Sequence, residues 1–368
     1  MPIAIATSSE PPAPIPIAGS IQPAAHAELE TARPAKPEPW PKRLAEYKRP
    51  QSRKAVWQLM VTAPLFIFGW WAMLKSIEIS YALTLLMAIP MSGLYIRLFI
   101  FQHDCGHGSF LKSRRWNDAI GSVIGVLTLT PYAYWKRTHA IHHATHGNLD
   151  RREMGDIRTL TVDEYLAKGF WGRLGYRFYR HPVTLLLLAP FYQFVIHHRF
   201  PYEIPFSWRR EWRSVMLTNA ALACLFALAY FTIGVDQLLM VQGPIFLIGG
   251  AVGIWLFFIQ HQFEETYWNN KEEWDFDLAG LQGSSFFDLP PVLHWFTGNI
   301  GYHHIHHLSS KIPNYRLKEA LDAFPEFHQV TKITLWQSLK CARLKLWDEK
   351  SRRLVGFDHL RRAAPAES

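Results

Sequence analysis

The chain has 368 residues, 49% of them hydrophobic and 14% aromatic, with 15 Trp and 24 Phe, a load of large apolar side chains that is high for an ordinary water-soluble enzyme. Its mean hydropathy is -0.04, which argues against a many-span transporter and fits a few membrane spans carrying a substantial polar body. The formal net charge of +9 comes from Lys and Arg beside apolar runs, a placement that favours an anionic lipid surface and argues against nucleic acid.

In chain order, residues 1–41 are rich in Ala and Pro and show no periodicity, so a disordered cytoplasmic arm is expected there. Four stretches then reach the roughly 20 apolar residues needed to cross a bilayer: Ala55–Leu74, Ile79–Ile100 with Arg97 near one end, Ser214–Gly234 and Gln237–Gln260. The connectors Lys75–Glu78 and Val235–Asp236 are short. They turn the four spans into two hairpins. Two shorter runs, Ala119–Trp135 and Pro182–Ile196, are flanked by Arg, Lys and His; interfacial or re-entrant helices are predicted, with further spans as the alternative. Lys42, Arg43, Lys48, Arg49, Arg53 and Lys54 precede the first span, Lys112, Arg114 and Arg115 follow the second, and Arg209, Arg210 and Arg213 precede the third. The positive-inside rule puts both termini and the large loops in the cytoplasm.

The predicted fold class is therefore all-α and integral to the membrane. It has four transmembrane helices in two hairpins, interfacial helices, and a cytoplasmic His-rich helical cap. The membrane domain is expected over 42–345, with a polar C-terminal tail over 346–368. Cys105, Cys224 and Cys341 lie far apart with no CxxC, which supports neither a disulfide framework nor a zinc ribbon. No GxxxxGK[ST] and no strand-bounded GxGxxG occurs. No bound flavin or nicotinamide is expected, and reducing power must come from outside.

Of 18 His, nine fall in three clusters: His103 and His107 in HDCGH, His139, His142 and His143 in HAIHH, and His303, His304, His306 and His307 in HHIHH. Spacings of three and four put imidazoles on one helix face, so each cluster can aim several rings at one point. In the third cluster His304 is the spare, because His303, His306 and His307 keep the three-four spacing. His261 sits just past the fourth span, where it can join as a ninth ring or hydrogen-bond Glu264 or Glu265. So many imidazoles exceed one metal's capacity, and two ions are implied. Neutral imidazole suits iron, zinc, copper and nickel alike; redox-active iron fits an open His-rich site better than structural zinc, which is closed by four ligands. His146, His181, His197, His198 and His294 read as interfacial or hydrogen-bonding residues, and His146→Ala is expected to be tolerated.

The segments HDCGHGSF (103–110), THAIHHATHGNLD (138–150) and GYHHIHHLSSKIPNYRL (301–317) resemble the membrane fatty acid desaturase family, in particular its acyl-lipid, delta-12 or omega-6-like bacterial and plastid branch. The resemblance covers roughly residues 50–340. It implies a di-iron centre that uses O2 and two external electrons to remove two hydrogens from adjacent methylenes of a fatty acyl chain. It also implies iron binding by His103, His107, His139, His142, His143, His303, His306 and His307, with His261 the best-placed match for one further histidine. Asn299 is a candidate for an asparagine near the centre. Asp104, Asp150, Asp156 and Glu264 are candidates to orient the rings. No haem-binding HPGG segment is seen, so neither bound haem nor a fused donor is expected; a separate ferredoxin-like donor would dock on the basic cytoplasmic face. The substrate would be a membrane lipid or carrier-linked acyl chain, the site a bacterial inner membrane, and no nucleic acid is involved. A hydroxylase or ketolase with the same centre is the nearest rival. A membrane metal transporter is the distant one, disfavoured because the spans are nearly free of ionisable groups.

Overall fold

A computed structural model describes residues 38–152 and 154–360. The Ala/Pro-rich arm lies outside these as far as residue 37, as does the end of the tail from 361 on. Among the described residues, four helices are long and apolar enough to cross a membrane: α1 (Ser52–Ser76), α2 (Tyr81–His107) and two later ones. In hydrocarbon every backbone N–H and C=O must be satisfied within the segment, which makes helices of these runs. The α1 surface shows what faces lipid: Trp57, Met60, Ile67, Phe68 and Trp71 are exposed, while Phe66 and Met73 are buried.

The helix α2 runs past the expected end at Ile100, and the HDCGH cluster forms its last turns. Gly108 stops it with a left-handed φ of 66°, a conformation cheap only for glycine. The stretch Ala119–Trp135 is not one helix. It divides into α3 (Arg114–Leu127) and α4 (Tyr132–Thr145) around a turn with Leu129 at φ 55°, followed by Pro131, which cannot continue a helix. A short amphipathic helix, α5 (Phe170–Tyr179), exposes Phe170, Trp171 and Phe178. The run Thr184–His197 is a mostly π-helical segment. The second pair of spans is α6 (Arg209–Thr232) and α7 (Val235–His261), joined at Gly234 with φ 91°. Here too the last turn of the helix, beyond the expected end, carries a cluster residue, His261. Helix α2 is central and packs along α1 and α7, while α6 packs on α4.

The cap contains α8 (Phe276–Gln282), α9 (His303–Leu308) and α10 (Asn314–Ala323). It also contains short strands, which an all-α reading omits. Strand β1 (Leu160–Thr161) pairs in parallel with β4 (Leu346–Asp348), which pairs antiparallel with β5 (Arg353–Val355); β2 (Phe286–Asp288) and β3 (Lys332–Thr334) form a second parallel pair. The tail expected from 346 is thus folded as far as it is described, with Leu346 and Trp347 buried. Its apolar residues fill the space beside Leu149 and Trp268.

Two buried cations tie these layers together without a carboxylate. Arg97 Nε donates to Thr62 Oγ1 at 3.1 Å, and its guanidinium also donates to the Trp295 carbonyl and stacks on the Trp295 ring at 4.2 Å. Arg180 donates to Gln262 Oε1 at 2.7 Å and to the Leu344 carbonyl at 3.1 Å. The turn between α3 and α4 is closed by the Thr130 N–H on the Gly125 carbonyl at 2.7 Å, and a Cβ on Gly125 would come within 2.5 Å of the Thr130 carbonyl oxygen. Gly125→Ala must push backbone aside, costing about 1–3 kcal/mol. It is expected to lower the thermal midpoint of the detergent-solubilised protein, whereas Gly243→Ala, whose added Cβ meets nothing within 4 Å, leaves it unchanged or higher. Equal midpoints for both variants would contradict this packing.

Candidate metal centre

The third cluster lies far along the chain from the first two, and the structure brings them to one place. His103 and His107 come from the end of α2, His139, His142 and His143 from α4, His261 from the end of α7, and His303, His306 and His307 from α9. They form two groups in which one nitrogen per ring lies within 4.8 Å of every other: His103, His107, His139, His143 and His306 in one, and His142, His261, His303 and His307 in the other. The four-ring group is buried throughout, whereas His107 and His139 are half-buried.

Local packing sets the rings. Gly106 in the first cluster leaves room for Trp135, whose ring a Cβ there would approach to 2.9 Å. Trp135 in turn stacks on His139 with centroids 4.4 Å apart and planes 17° from parallel. His103 Nδ1 donates to Asp104 Oδ1 at 3.0 Å, His142 Nδ1 to Asp156 Oδ1 at 2.5 Å, and His261 Nδ1 to the Gly283 carbonyl at 3.3 Å. Each bond fixes a tautomer that leaves Nε2 as a lone-pair donor. The other oxygen of Asp104 accepts from Asn314 N at 2.7 Å and Asn314 Nδ2 at 2.8 Å, tying α2 to the start of α10.

Three close nitrogen pairs follow: His143 Nε2 to His139 Nε2 at 3.1 Å, His306 Nε2 to His143 Nε2 at 3.0 Å, and His303 Nε2 to His261 Nε2 at 3.1 Å. A single N–H cannot serve both contacts of His143. Two nitrogens about 2.1 Å from one ion, at about 90°, are about 3.0 Å apart, so the spacing fits rings sharing a cation. His107, His142 and His307 each keep a buried Nε2 with no hydrogen-bond partner. Burial first, and then neighbouring imidazoles, push His143, His303, His306 and His307 well below the usual imidazole value. That shift favours the neutral ring, the form that binds metal. The donor set therefore fits two imidazole-bound ions.

Three residues expected at the centre are elsewhere. Asp150 accepts from the Lys271 N–H at 2.9 Å, in the loop beyond α4. Glu264 is exposed and pairs with Arg353 at 3.5 Å. Asn299 sits at φ 58° and donates to the Asn314 carbonyl at 3.2 Å. Asp150 and Glu264 thus bond partners outside the two groups, whereas Asn299 bonds the residue that holds Asp104. His304 lies against Phe286 and Phe327, apart from the groups. His198 contacts the Leu129 carbonyl, and His294 accepts from the Leu289 N–H. Of the two readings of His146, interfacial or hydrogen-bonding, the structure shows the second: it is buried, its ring lies 4.0 Å from that of His261, and its Nε2 donates to the Gly283 carbonyl at 2.8 Å. Burial lowers its pKa to about 4. Its spacing of three from His143 was the available signal.

Comparison with known proteins gives a consistent picture. The family model described as "Fatty acid desaturase" matches residues 79–337. A "Fatty acid desaturase" of Bacillus subtilis is 43% identical over 316 residues, which is 86% of this chain and 89% of the relative. An "sn-1 acyl-lipid omega-3 desaturase (ferredoxin)" of Synechocystis is 28% identical over 67% of this chain and 69% of its own length. An "sn-2 acyl-lipid omega-3 desaturase (ferredoxin), chloroplastic" of Arabidopsis thaliana is 30% identical over 64% of this chain, and the match spans about half of that relative, 53%.

Proposed function

The chain belongs to the fatty acid desaturase family, and on that premise we propose that it desaturates lipid-linked fatty acyl chains at a di-iron centre held by the nine histidines of the five-ring and four-ring groups. Its spans make it a membrane protein, and its family makes it an oxidoreductase. The observation that carries the di-iron reading is the division of the nine rings into groups of five and four with Nε2 atoms 3.0–3.1 Å apart.

The overall change removes one hydrogen from each of two adjacent methylenes; with O2, two electrons and two protons it yields one C=C bond and two waters. Acid–base side chains cannot break an unactivated C–H bond, and bound iron supplies the oxygen and electron chemistry they lack. The protein's own part is geometric. Asp104 and Asp156 hold the Nδ1–H of His103 and His142, the Gly283 carbonyl holds that of His261, and Trp135 fixes the plane of His139. Burial of the four-ring group keeps bulk water out.

The positive-inside rule supports a centre on the cytoplasmic side, and a bacterial inner membrane is the location we propose. Lys112, Arg114, Arg115 and Lys311 are exposed on the segments that follow or flank His107. Lys311 Nζ also donates to the His107 carbonyl at 2.6 Å. An acidic ferredoxin would dock beside this half-buried edge, which agrees with the ferredoxin in the names of two relatives. The delta-12 or omega-6-like reading competes with the omega-3 names of those relatives. One experiment tests the whole: fatty acid profiling of a host expressing the chain, paired with the purified enzyme in liposomes supplied with reduced ferredoxin. A product two mass units lighter, with its double bond located, supports desaturation and fixes its position. A gain of sixteen units marks a hydroxylase instead, and no ferredoxin-driven turnover removes that donor.

A further inference from the structure

A small cavity, about 10 Å³, lies beside the four-ring group, lined by His146, Asp156, His261, Gln262 and Trp268 and by the apolar Ile157 and Phe257. That is room for the centre of one water. Three of these lining residues each carry a buried polar atom with no hydrogen-bond partner: His146 Nδ1, Asp156 Oδ2 and Trp268 Nε1.

Their chemistry specifies the occupant. Asp156 Oδ2 accepts only. His146 donates through Nε2 to the Gly283 carbonyl, so the Nδ1 of its neutral ring is an acceptor too. Trp268 Nε1–H is a donor only. One ligand atom from each of His142, His146 and Asp156 lies within 4.8 Å of the others, close enough for hydrogen bonds from His146 and Asp156 to meet at one oxygen. Water donates twice and accepts once, which satisfies all three groups. A metal cation does not, because the indole N–H would face it and Asp156 Oδ1 already holds His142.

We infer that one bound water, clamped by His146, Asp156 and Trp268, locks Asp156 and thereby the ring of His142. His146 and Trp268 are then positioning residues for the four-histidine group, and His146→Ala is not a tolerated change. The strut reaches a second ring as well, because His146 lies against His261 and the two share the Gly283 carbonyl. This inference rests on the di-iron reading of the centre.

The test uses the full-length enzyme in nanodiscs, measuring iron per chain, iron affinity by competition with a chelator, Mössbauer spectra and the density at the cavity. Trp268→Phe removes the donor and keeps the apolar body; His146→Leu removes the acceptor; His146→Gln offers an amide N–H to Gly283 and a carbonyl oxygen to the water. Loss of a group that orients a ligating imidazole costs about 10–100-fold in metal affinity. The expected result is at least a tenfold weaker affinity for one of the two irons in Trp268→Phe and His146→Leu, with one Mössbauer component altered and the other kept, and recovery in His146→Gln. Wild-type affinity and spectra in both variants would overturn the inference, as would equal loss of both irons with a lowered thermal midpoint. If the wild type binds no iron the di-iron reading fails, and the density then decides the water by itself: one ordered peak bonded to all three atoms supports it, and none rejects it.

Discussion

Replacing His306 with Ala is expected to abolish desaturation and to strip iron from the protein, while membrane insertion and yield stay as in the wild type. His306 is fully buried, and its Nε2 stands 3.0 Å from that of His143 in the five-ring group. Its loss removes a donor that water cannot replace in a closed site. The effect should exceed the roughly 10–100-fold that removal of a mere supporting partner costs. His142→Ala, His143→Ala and His307→Ala should behave alike. Iron analysis and product formation on the same preparations check this, and activity retained in any of the four variants removes that residue from the ligand set.

Asp104 carries the second large effect, because one buried carboxylate serves two elements. Its Oδ1 orients His103, and its Oδ2 receives two hydrogen bonds from Asn314. Asp104→Ala leaves three buried donors without their acceptor, and breaking a buried charged network of this kind costs roughly 3–5 kcal/mol. Less protein should fold, and what folds should hold little iron. Asp104→Asn keeps the shape but sets an amide N–H against a ring N–H or the Asn314 donors; a fall of about 10–100-fold in activity with near-normal yield is expected. Expression level and turnover per folded enzyme separate the two variants. Wild-type turnover in Asp104→Asn would show that the orientation of His103 is set by something else.

The parts of the molecule that sequence discloses are those with a repeat. Four spans declare themselves because lipid demands long apolar helices, and the three-four spacing of His139, His142 and His143 declares a helix face. The position of His261 at a span end marks it as a neighbour of the clusters. What sequence could not disclose depends on where loops go. Asp104, Asp150, Asp156 and Glu264 are alike as acidic neighbours of a cluster, yet two of them reach a ring and two turn outward, a distinction made by the course of the backbone after Thr145 and after His261. His146 was hidden by the same cause: its partner is the Gly283 carbonyl, 137 positions away. Strands of two or three residues such as β1 and β4 are too short to show an alternating pattern, so the fold of the chain beyond 345 was invisible too.

Helix α2 passes without interruption from Tyr81 to His107, and α7 from Val235 to His261. A helix advances about 1.5 Å and turns about 100° with each residue. The height of the reactive centre above the bilayer, and the compass direction of two of its imidazoles, are therefore written in the number of residues in those rods as firmly as in the histidines themselves. Lipid-facing side chains along them can be exchanged with little effect on that geometry, but a residue added or deleted would swing a ligand out of place.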